Sequence, residues 1–281
     1  MPADDSKSIA FQGELGAYGH QACRDLRPDH TPLPCVTFDD TIEAVTTGAA
    51  ALAMVPVENS TYGRVADIHR LLPESGLHII AETFVKVEIS LLAPRGATLD
   101  QVTEAHGHPV ILPQCASFLR THGIKAVASS DNARAAREVA ELGDPARAAL
   151  AGQLAGDIYA LDTLATQIED QANNTTRFLL LAPEPDMTRR ADVMMTTFVF
   201  QVRNIPAALY KAMGGFATNA VNMTKLESYM VGGHFTATQF YSDIEGHPDD
   251  ANVQLALEEL GFFTTQLKVL GTYPAHPRRA D

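Results

Sequence analysis

Residues 8–26 read SIAFQGELGAYGHQACRDL, and this stretch decides the class of fold. The apolar run at 8–11 predicts a short strand, the segment at 12–19 is a glycine-rich loop, and 20–26 has helical periodicity. The loop glycines leave backbone N–H groups accessible ahead of a helix, an arrangement that is able to hold an anion. The loop is neither a Walker A loop, because no Lys follows, nor a GxGxxG fingerprint, so an ordinary strand-to-helix turn is the alternative interpretation.

Strands and helices continue to alternate along the first half of the chain. Strands are predicted at 50–56, 77–82, 85–92, 110–111, 125–128 and 148–151, and helices at 38–48, 117–122 and 132–141, with one more helix ending near residue 72. Alternation of this kind predicts an α/β fold with a largely parallel sheet.

The pattern changes after residue 181. Residues 182–190 are polar, contain two prolines and lack periodicity, which is typical of a linker. Beyond them we predict a strand at 194–202, a helix at 206–217, a strand at 221–230, a Gly232-Gly233 turn, a strand at 235–242, a helix at 248–260 and a strand at 266–270. This βαββαβ order is ferredoxin-like, and Pro206 suits the first turn of its helix. We therefore expect one region over 1–183, a linker over 184–191 and a second domain over 192–281.

Length, composition and charge exclude several classes of function. At roughly 150 residues per domain, 281 residues predict about two domains, and 46% hydrophobic with 20% charged residues is typical of a folded protein. Lys and Arg number 21 against 34 Asp and Glu, so the net charge of −13 argues against a nucleic-acid partner. The sequence has no recognisable secretory signal and no apolar run of about 18 residues, so we expect a cytoplasmic protein without a membrane partner. Three cysteines without a CxxC pair suggest neither a disulfide nor a metal site.

Two further polar clusters adjoin predicted strands, where α/β folds place their ligands. In PVENST at 56–61, the amide of Asn59 and the hydroxyls of Ser60 and Thr61 precede a helix, and capping requires one such side chain rather than three. In NNTTRF at 173–178, the Thr176 hydroxyl adjoins the Arg177 guanidinium, whose planar fork suits a carboxylate. A strand-entry turn with a surface Arg is the alternative for the last cluster.

Other polar residues carry weaker signals. Gln114 either supplies a side-chain amide to a binding pocket or lies at the start of a helix. Cys115 has no basic neighbour in the sequence that would favour the thiolate form of its side chain. The spacing of His106 and His108 is not that of a metal site. The clusters supply hydrogen-bond donors but no motif for binding a cofactor. They therefore suit a reaction in which a bound, reactive anion decomposes and the protein assists the departure of one leaving group.

These motifs, in this order, resemble those of the prephenate dehydratase family over about residues 8–275. GELGAY at 13–18 is similar to the family's opening GPxGxYS, PVENST at 56–61 to PIENSxxG, and NTTRF at 174–178 to NxTRF. The segments AAL at 207–209 and KLES at 225–228 resemble parts of an amino-acid-sensing ACT domain.

The resemblance implies an activity, a fold and a set of functional residues. The activity is conversion of prephenate to phenylpyruvate with loss of carbon dioxide and water, without a cofactor, in phenylalanine biosynthesis. The fold is a catalytic region of two α/β lobes, similar to type 2 periplasmic binding proteins, followed by the ACT domain. Thr176, Asn59 and Gln114 are implied as catalytic residues, Ser60, Thr61, Arg177, Phe178 and Tyr18 as substrate-binding residues, and Ala208, Leu209, Glu227 and Ser228 as residues that bind phenylalanine as an effector. A homodimer or homotetramer is also implied.

The sequence departs from the family pattern at several positions. Glycine stands at 19 and 107 where the family has serine, alanine stands at 116 in QCR and at 207 in GAL, and Tyr229-Met230 replaces the Arg-Pro of ESRP. The first three departures remove polar groups near the expected cleft. Two alternatives therefore stay open, an arogenate dehydratase and a binding or sensing protein without catalytic activity on the same fold.

Overall fold

The computed structural model describes residues 7–187, 191–230 and 237–279. The predicted Gly232-Gly233 turn lies outside these ranges, as does part of the predicted linker. The chain forms two compact units, one made of the residues up to Val65 together with Thr83–Phe178, the other of Ala66–Glu82 together with the residues from Leu179 onward. These units do not follow the predicted boundary at 183, which stays a prediction. None of the described helices is both long enough and apolar enough to span a membrane.

The first unit contains most of the alternating elements that the sequence predicts. In chain order they are β1 (Ser8–Gln12), α1 (Tyr18–Leu26), β2 (Thr31–Cys35), α2 (Phe38–Thr46), β3 (Leu52–Asn59) and β4 (Gly63–Arg64). After α3 (Ala66–Leu71), which belongs to the second unit, come β5 (His78–Lys86), β6 (Ser90–Ala93), β7 (Glu104–Gly107), α4 (Ala116–Thr121), β8 (Lys125–Ala128), α5 (Asn132–Leu142), β9 (Arg147–Ala151), α6 (Gln153–Tyr159), β10 (Asp162–Ala165) and β11 (Thr175–Ala182). Strands β5 and β11 contribute residues to both units.

The strand, loop and helix predicted at 8–26 are confirmed, and glycine explains the loop. Strand β1 pairs in parallel with β2 and β3. Gly13 and Gly16 have φ angles of +118° and +96°, which residues with a side chain rarely adopt. A Cβ on Gly16 would also lie 2.8 Å from the Cα of Ala155 on α6, so this position requires the smallest residue.

The second sheet of the first unit is mixed rather than largely parallel. Its strand order is β10-β6-β9-β7-β8, with β6 antiparallel to both β10 and β9, and β7 parallel to β8 and β9. The strand predicted at 110–111 is wrong, because the strand lies at Glu104–Gly107 and 110–111 form a turn. The single strand predicted at 85–92 is also wrong. The chain leaves β5 at Lys86 and enters β6 at Ser90, with Val87 N donating to the carbonyl of Asn174 in between.

The second unit contains the predicted βαββαβ order. Its elements are β12 (Met194–Val202), α7 (Ala208–Thr218), β13 (Met223–Met230), β14 (Ala237–Glu245), α8 (Ala251–Phe263) and β15 (Thr264–Pro274). The strands lie in the order β13-β14-β12-β15 and all pair antiparallel, which is the ferredoxin-like arrangement. Phe198 and Phe200 on β12 pack with Phe216 and Phe240 in its core. The ferredoxin-like prediction is confirmed.

The helix predicted from Pro206 begins two residues later, and Ala207 causes the difference. Ala207 has φ +62° and ψ +14°, a left-handed conformation, so the helix α7 starts at Ala208 and Pro206 lies outside it. A residue with a Cβ pays roughly 1–2 kcal/mol for this conformation, whereas glycine adopts it freely. This is the position at which the family pattern has glycine.

We therefore expect Ala207→Gly to stabilise the protein. The relief of left-handed strain exceeds the greater chain entropy of glycine in the unfolded state, so the free energy of unfolding should rise by about 0.5–1 kcal/mol. Urea denaturation followed by circular dichroism measures the change. Ala217→Gly is the matched control, because Ala217 is exposed and helical, and there the same substitution should lower the free energy of unfolding by about 1 kcal/mol. A lower stability for Ala207→Gly would contradict the argument.

Candidate active site

Four side chains that are far apart in the sequence meet in the first unit. Asn59 is the last residue of β3, Asn174 immediately precedes β11, and Thr176 is the second residue of β11. Gln114 lies in a short 3-10 helix, Pro113–Cys115. Strands β3 and β11 are neighbours in the sheet, which brings the ends of both strands together. We call these four residues the amide–hydroxyl cluster.

Asn59 holds the amide–hydroxyl cluster together. Its Nδ2 donates to Asn174 Oδ1 at 2.6 Å and to Thr176 Oγ1 at 2.9 Å. Its Oδ1 accepts from the backbone N–H groups of Thr61 at 2.9 Å and Tyr62 at 3.0 Å. An asparagine side chain has two N–H donors and one oxygen with two lone pairs, so Asn59 is fully occupied. It therefore positions its neighbours and has no hydrogen-bonding capacity left for a ligand.

Thr176 keeps a hydroxyl proton for donation. Its Oγ1 accepts the Asn59 amide, and a hydroxyl that accepts in this way still has its own O–H. The accepted hydrogen bond also polarises that O–H, because consecutive hydrogen bonds strengthen one another. The cluster thus presents one polarised donor at a fixed position.

Asn174 is a member of the cluster to which the motifs assign no role. It is 2% exposed, and its Nδ2 donates to Gln114 Oε1 at 2.8 Å. Gln114 in turn donates through Nε2 to the carbonyl of Val110 at 2.9 Å, which leaves it one N–H. Asn174 is the first residue of the NTTRF motif, so the sequence did mark its position. Its hydrogen-bond partners, Gln114 and Asn59, lie 60 and 115 residues away in the chain.

Ser60 and Thr61 connect backbone segments at this site. Ser60 Oγ donates to the carbonyl of Asn173 and accepts from the N–H of Thr175, both at 2.9 Å. The backbone of Thr61 binds Asn59, while the Thr61 side chain is exposed. In this structure Ser60 fixes the start of β11 to the end of β3.

Arg177 is buried and makes an ion pair. It is 2% exposed, and its Nη1 donates to Glu58 Oε1 at 2.8 Å. The sequence left a choice between a carboxylate-binding Arg and a surface Arg, and the surface alternative is wrong. In this structure the carboxylate that pairs with the Arg177 guanidinium is the side chain of Glu58 on β3.

A cavity of about 160 Å³ is lined by residues of the two strands, β3 and β11, that also carry Asn59 and Thr176. Phe178, two residues after Thr176 on β11, and Pro56, three residues before Asn59 on β3, both line it. At a rise of about 3.3 Å per residue, these offsets correspond to about 7–10 Å along each strand. The other lining residues are Gln12, Gly16, Ala17, Tyr18, Gly19, Met54, Asp131, Asn132 and Gly152.

Tyr18 and Phe178 bring aromatic surface to this cavity. The Tyr18 hydroxyl donates to the carbonyl of Glu88 at 2.9 Å, which fixes the ring. Burial, followed by the charge of Glu169, raises the pKa of the Tyr18 phenol well above its ordinary value, so the side chain stays neutral. Phe178 is 3% exposed. The cavity therefore combines aromatic walls with a few polar groups, as binding sites for small molecules do.

Two of the departures from the family pattern, Gly19 and Gly107, lie at tightly packed points. Gly19 lines the cavity, and a Cβ there would lie 3.2 Å from Phe11 Cδ2. A Cβ on Gly107 would lie 3.2 Å from Leu150 Cβ and 3.3 Å from Ile111 Cδ1. Serine at either position would therefore require a neighbour to move. Ala116 begins α4, next to Cys115.

Cysteine chemistry is not supported at the site. Burial, with smaller contributions from Glu169 and Asp170, raises the pKa of the Cys115 thiol to about 12, and burial raises that of Cys23 to about 12 as well. Both thiols stay protonated at neutral pH and are poor nucleophiles. Within the described ranges, no group of three or more His, Cys, Asp or Glu residues is arranged to hold a metal ion.

The predicted effector residues lie in the second unit. Ala208 and Leu209 form the first turn of α7, where Ala208 is buried and Leu209 packs against the core. Glu227 and Ser228 lie on β13, at the edge of the sheet, opposite Tyr241 and Phe240. Lys225 Nζ lies 3.4 Å from Glu227 Oε1. Their role in binding phenylalanine stays a prediction.

Comparison with known proteins gives one family and several relatives. The prephenate dehydratase family model matches residues 9–186. A Komagataeibacter europaeus protein named bifunctional N-acyl-homoserine lactone acylase/prephenate dehydratase is 48% identical over 272 residues, covering 96% of this chain and 97% of that protein. Arogenate dehydratase/prephenate dehydratase 2 of Arabidopsis thaliana, chloroplastic, is 35% identical over 275 residues, covering 95% of this chain and 72% of its own length.

A solved structure agrees over the same span. The prephenate dehydratase of Arthrobacter aurescens in complex with L-Phe aligns with a TM-score of 0.87 at 29% identity, covering 95% of this chain and 90% of that protein. The agreement extends through the βαββαβ unit as well as the region of the amide–hydroxyl cluster.

Proposed function

This chain belongs to the prephenate dehydratase family, and from that premise we propose that it converts prephenate to phenylpyruvate. The observation that carries the proposal is the hydrogen bond from Asn59 Nδ2 to Thr176 Oγ1, which prepares a hydroxyl to donate to a leaving group. We further propose that phenylalanine regulates the activity through the second unit, which acts as an ACT domain, in a cytoplasmic homodimer or homotetramer.

The reaction breaks two bonds of the substrate ring. The ring carboxylate leaves as carbon dioxide, and the electron pair of that carbon–carbon bond moves into the ring. The hydroxyl across the ring leaves, and with one proton it becomes water. Prephenate and one proton thus give phenylpyruvate, carbon dioxide and water. Aromatisation supplies the driving force, so the protein has to bind the anion and assist the departing oxygen.

The residues of the amide–hydroxyl cluster are suited to these two tasks, binding the anion and assisting the departing oxygen. Thr176 donates its hydrogen bond to the leaving oxygen, where negative charge develops, and is the catalytic residue. Asn59 is a positioning residue, because its contact with the reaction passes through Thr176. The remaining N–H of Gln114 is available for a substrate carboxylate. Tyr18 and Phe178 supply the walls for the ring.

Cys23 and Cys115 do not support an acylase that uses a cysteine nucleophile. Amide hydrolysis by a side-chain nucleophile needs a thiolate or a hydroxyl that donates to a base. Burial raises the pKa of the Cys23 and Cys115 thiols to about 12, so both stay protonated at neutral pH and are poor nucleophiles. The acylase activity in the name of the Komagataeibacter europaeus protein is therefore not proposed for this chain.

The test of the proposed function is a direct assay of both candidate substrates. The purified protein is incubated at neutral pH with prephenate or with arogenate, and phenylpyruvate and phenylalanine are quantified against samples without enzyme. Rapid formation of phenylpyruvate supports the proposal. No product from either acid, with a folded protein by circular dichroism, would favour the alternative of a binding protein without catalytic activity.

Phenylalanine binding is expected in the second unit, with Glu227 as a partner of the ligand's ammonium group. Calorimetry should detect saturable binding to the wild type, and Glu227→Gln should weaken it about tenfold, the effect of about 1.4 kcal/mol from one charge-assisted hydrogen bond. Glu258→Gln is the matched control, since it removes the same charge from α8, where the residue is not part of the proposed site. Absence of heat with wild-type protein would refute phenylalanine binding.

A further inference from the structure

Tyr62 links the loop after β3 to the segment that carries Gln114. Its hydroxyl donates to the carbonyl of Val110 at 3.0 Å, across 48 positions of the sequence. Tyr62 lies between β3 and β4, at a position that the family motif PIENSxxG leaves unspecified. The residue is 49% exposed, so packing in a hydrophobic core does not account for it.

The Val110 carbonyl that Tyr62 binds is shared with Gln114. Gln114 Nε2 donates to it at 2.9 Å, and a carbonyl oxygen has two lone pairs, so it accommodates both donors. The position of this oxygen therefore determines where Gln114 Nε2 lies, together with the N–H that Gln114 has left. Tyr62 fixes the oxygen relative to β3, because the backbone N–H of Tyr62 donates to Asn59 Oδ1 at 3.0 Å.

These contacts complete a closed ring of hydrogen bonds through the amide–hydroxyl cluster. Each side-chain amide of the ring accepts at its oxygen and donates through its nitrogen, so the hydrogen bonds run in one direction and polarise one another. In order they are Tyr62 N to Asn59, Asn59 to Asn174, Asn174 to Gln114, and Gln114 to the carbonyl of Val110, at 3.0, 2.6, 2.8 and 2.9 Å. The Tyr62 hydroxyl closes the ring, so this one residue holds both ends of the chain.

We propose that Tyr62 is a positioning residue for substrate binding, because it holds the Gln114 amide in place through the carbonyl of Val110. The inference rests on the proposed function, in which the remaining N–H of Gln114 binds a substrate carboxylate, and it adds a residue to which the motifs assign no role. That carboxylate is charged before the reaction begins. A displaced Gln114 therefore weakens the binding of substrate more than it slows the reaction of bound substrate.

The test is Tyr62→Phe, which removes one hydroxyl from an exposed ring and keeps the backbone N–H that binds Asn59. We expect KM for prephenate to rise about fivefold, the effect of one neutral hydrogen bond, while kcat stays within about twofold. The circular dichroism spectrum should stay the same. Tyr210→Phe is the matched control, because Tyr210 is an exposed tyrosine on α7 in the second unit, and its KM should match that of the wild type.

A double-mutant cycle distinguishes action through Gln114 from an independent effect. Gln114→Ala removes the amide that Tyr62 positions, so in that background Tyr62→Phe should raise KM by less than about twofold. Three results overturn the role of Tyr62 and leave the dehydratase standing: an unchanged KM in the single variant, a change confined to kcat, or an equal rise of KM in both backgrounds.

A binding measurement separates this inference from the proposed function. If prephenate is not converted, the proposed function fails, and calorimetric titration of prephenate then decides the role of Tyr62. Binding about fivefold weaker in Tyr62→Phe than in the wild type, with no such difference in the Gln114→Ala background, supports the role. Equal binding by the wild type and Tyr62→Phe, or no binding by the wild type, overturns it.

Discussion

Thr176→Ala is expected to lower kcat for prephenate by at least about a hundredfold while KM stays within about threefold. The hydroxyl donates to the leaving oxygen only as charge develops, so its loss affects the transition state more than the bound substrate. Removal of one preorganised donor to a developing oxyanion costs about 10²–10³ in kcat in other enzymes. Steady-state kinetics with prephenate measure the change. Loss of less than about threefold would contradict a role in catalysis.

Two controls distinguish a chemical role from a structural one. Thr176→Ser keeps the hydroxyl and should retain kcat within about tenfold. Asn59→Asp keeps the oxygen that binds the backbone of Thr61 and Tyr62 but removes the donor to Thr176. Because Asn59 acts through Thr176, its substitution should cost much less in the Thr176→Ala background than in the wild type, and equal costs would show independent roles.

Arg279→Met is expected to lower the free energy of unfolding by about 3 kcal/mol. Arg279 donates through Nε to Glu82 Oε1 at 2.6 Å and through Nη2 to Glu82 Oε2 at 2.8 Å. Its Nη2 also lies 3.5 Å from Asp243 Oδ2. Both carboxylate side chains are 0% exposed, and Thr197 Oγ1 donates to Asp243 Oδ1 at 2.7 Å. Methionine fills similar volume but removes the charge-assisted hydrogen bonds from groups that burial has already separated from water.

Arg278→Met provides the matched control for this stability prediction. Arg278 is the adjacent residue, carries the same charge and is exposed, so its substitution should change the free energy of unfolding by no more than about 0.5 kcal/mol. Urea denaturation of the two variants and the wild type, followed by circular dichroism, makes the comparison. Equal stabilities of the two variants would show that the buried network does not depend on Arg279.

The features predicted well from the sequence depend on local chemistry. The 8–26 segment was predictable because Gly13 and Gly16 stand where the loop requires positive φ angles. Helix α5 was predictable because Asp131 caps its start and Gly143, with φ +66°, ends it. The βαββαβ order followed from strand and helix periodicities, and the family pattern added the expectation of a polar site.

Features that depend on distant partners were not predictable in the same way. Strand β2, TPLPC, contains two prolines and forms because it lies at a sheet edge, where the missing N–H groups are tolerated. Residues 66–82 join the second unit through contacts such as the pairing of Ile79 with Gly271, far along the sequence. A Cβ on Gly271 would clash with the carbonyl oxygen of Ile79, a constraint that appears only in three dimensions.

In the candidate site, too, local motifs were predictable from the sequence and contacts between distant residues were not. Asn59, Gln114 and Thr176 were selected from their motifs, and the structure brings all three together. Asn174 belongs to the NTTRF motif, but its hydrogen bonds to Asn59 and Gln114 join residues 115 and 60 positions apart, so the motif alone did not reveal its role. The ion pair between Arg177 and Glu58 likewise joins residues 119 positions apart.

The most direct test of the account is a single-turnover measurement with prephenate at neutral pH and enzyme in excess. Carbon dioxide and phenylpyruvate are quantified together in the wild type and in Thr176→Ala. We predict equimolar release of both products in the wild type, far faster than without enzyme, and release at least about a hundredfold slower in the variant. Equal rates in the two proteins, or no release above the sample without enzyme, would contradict the assignment of Thr176 as the residue that assists the leaving group.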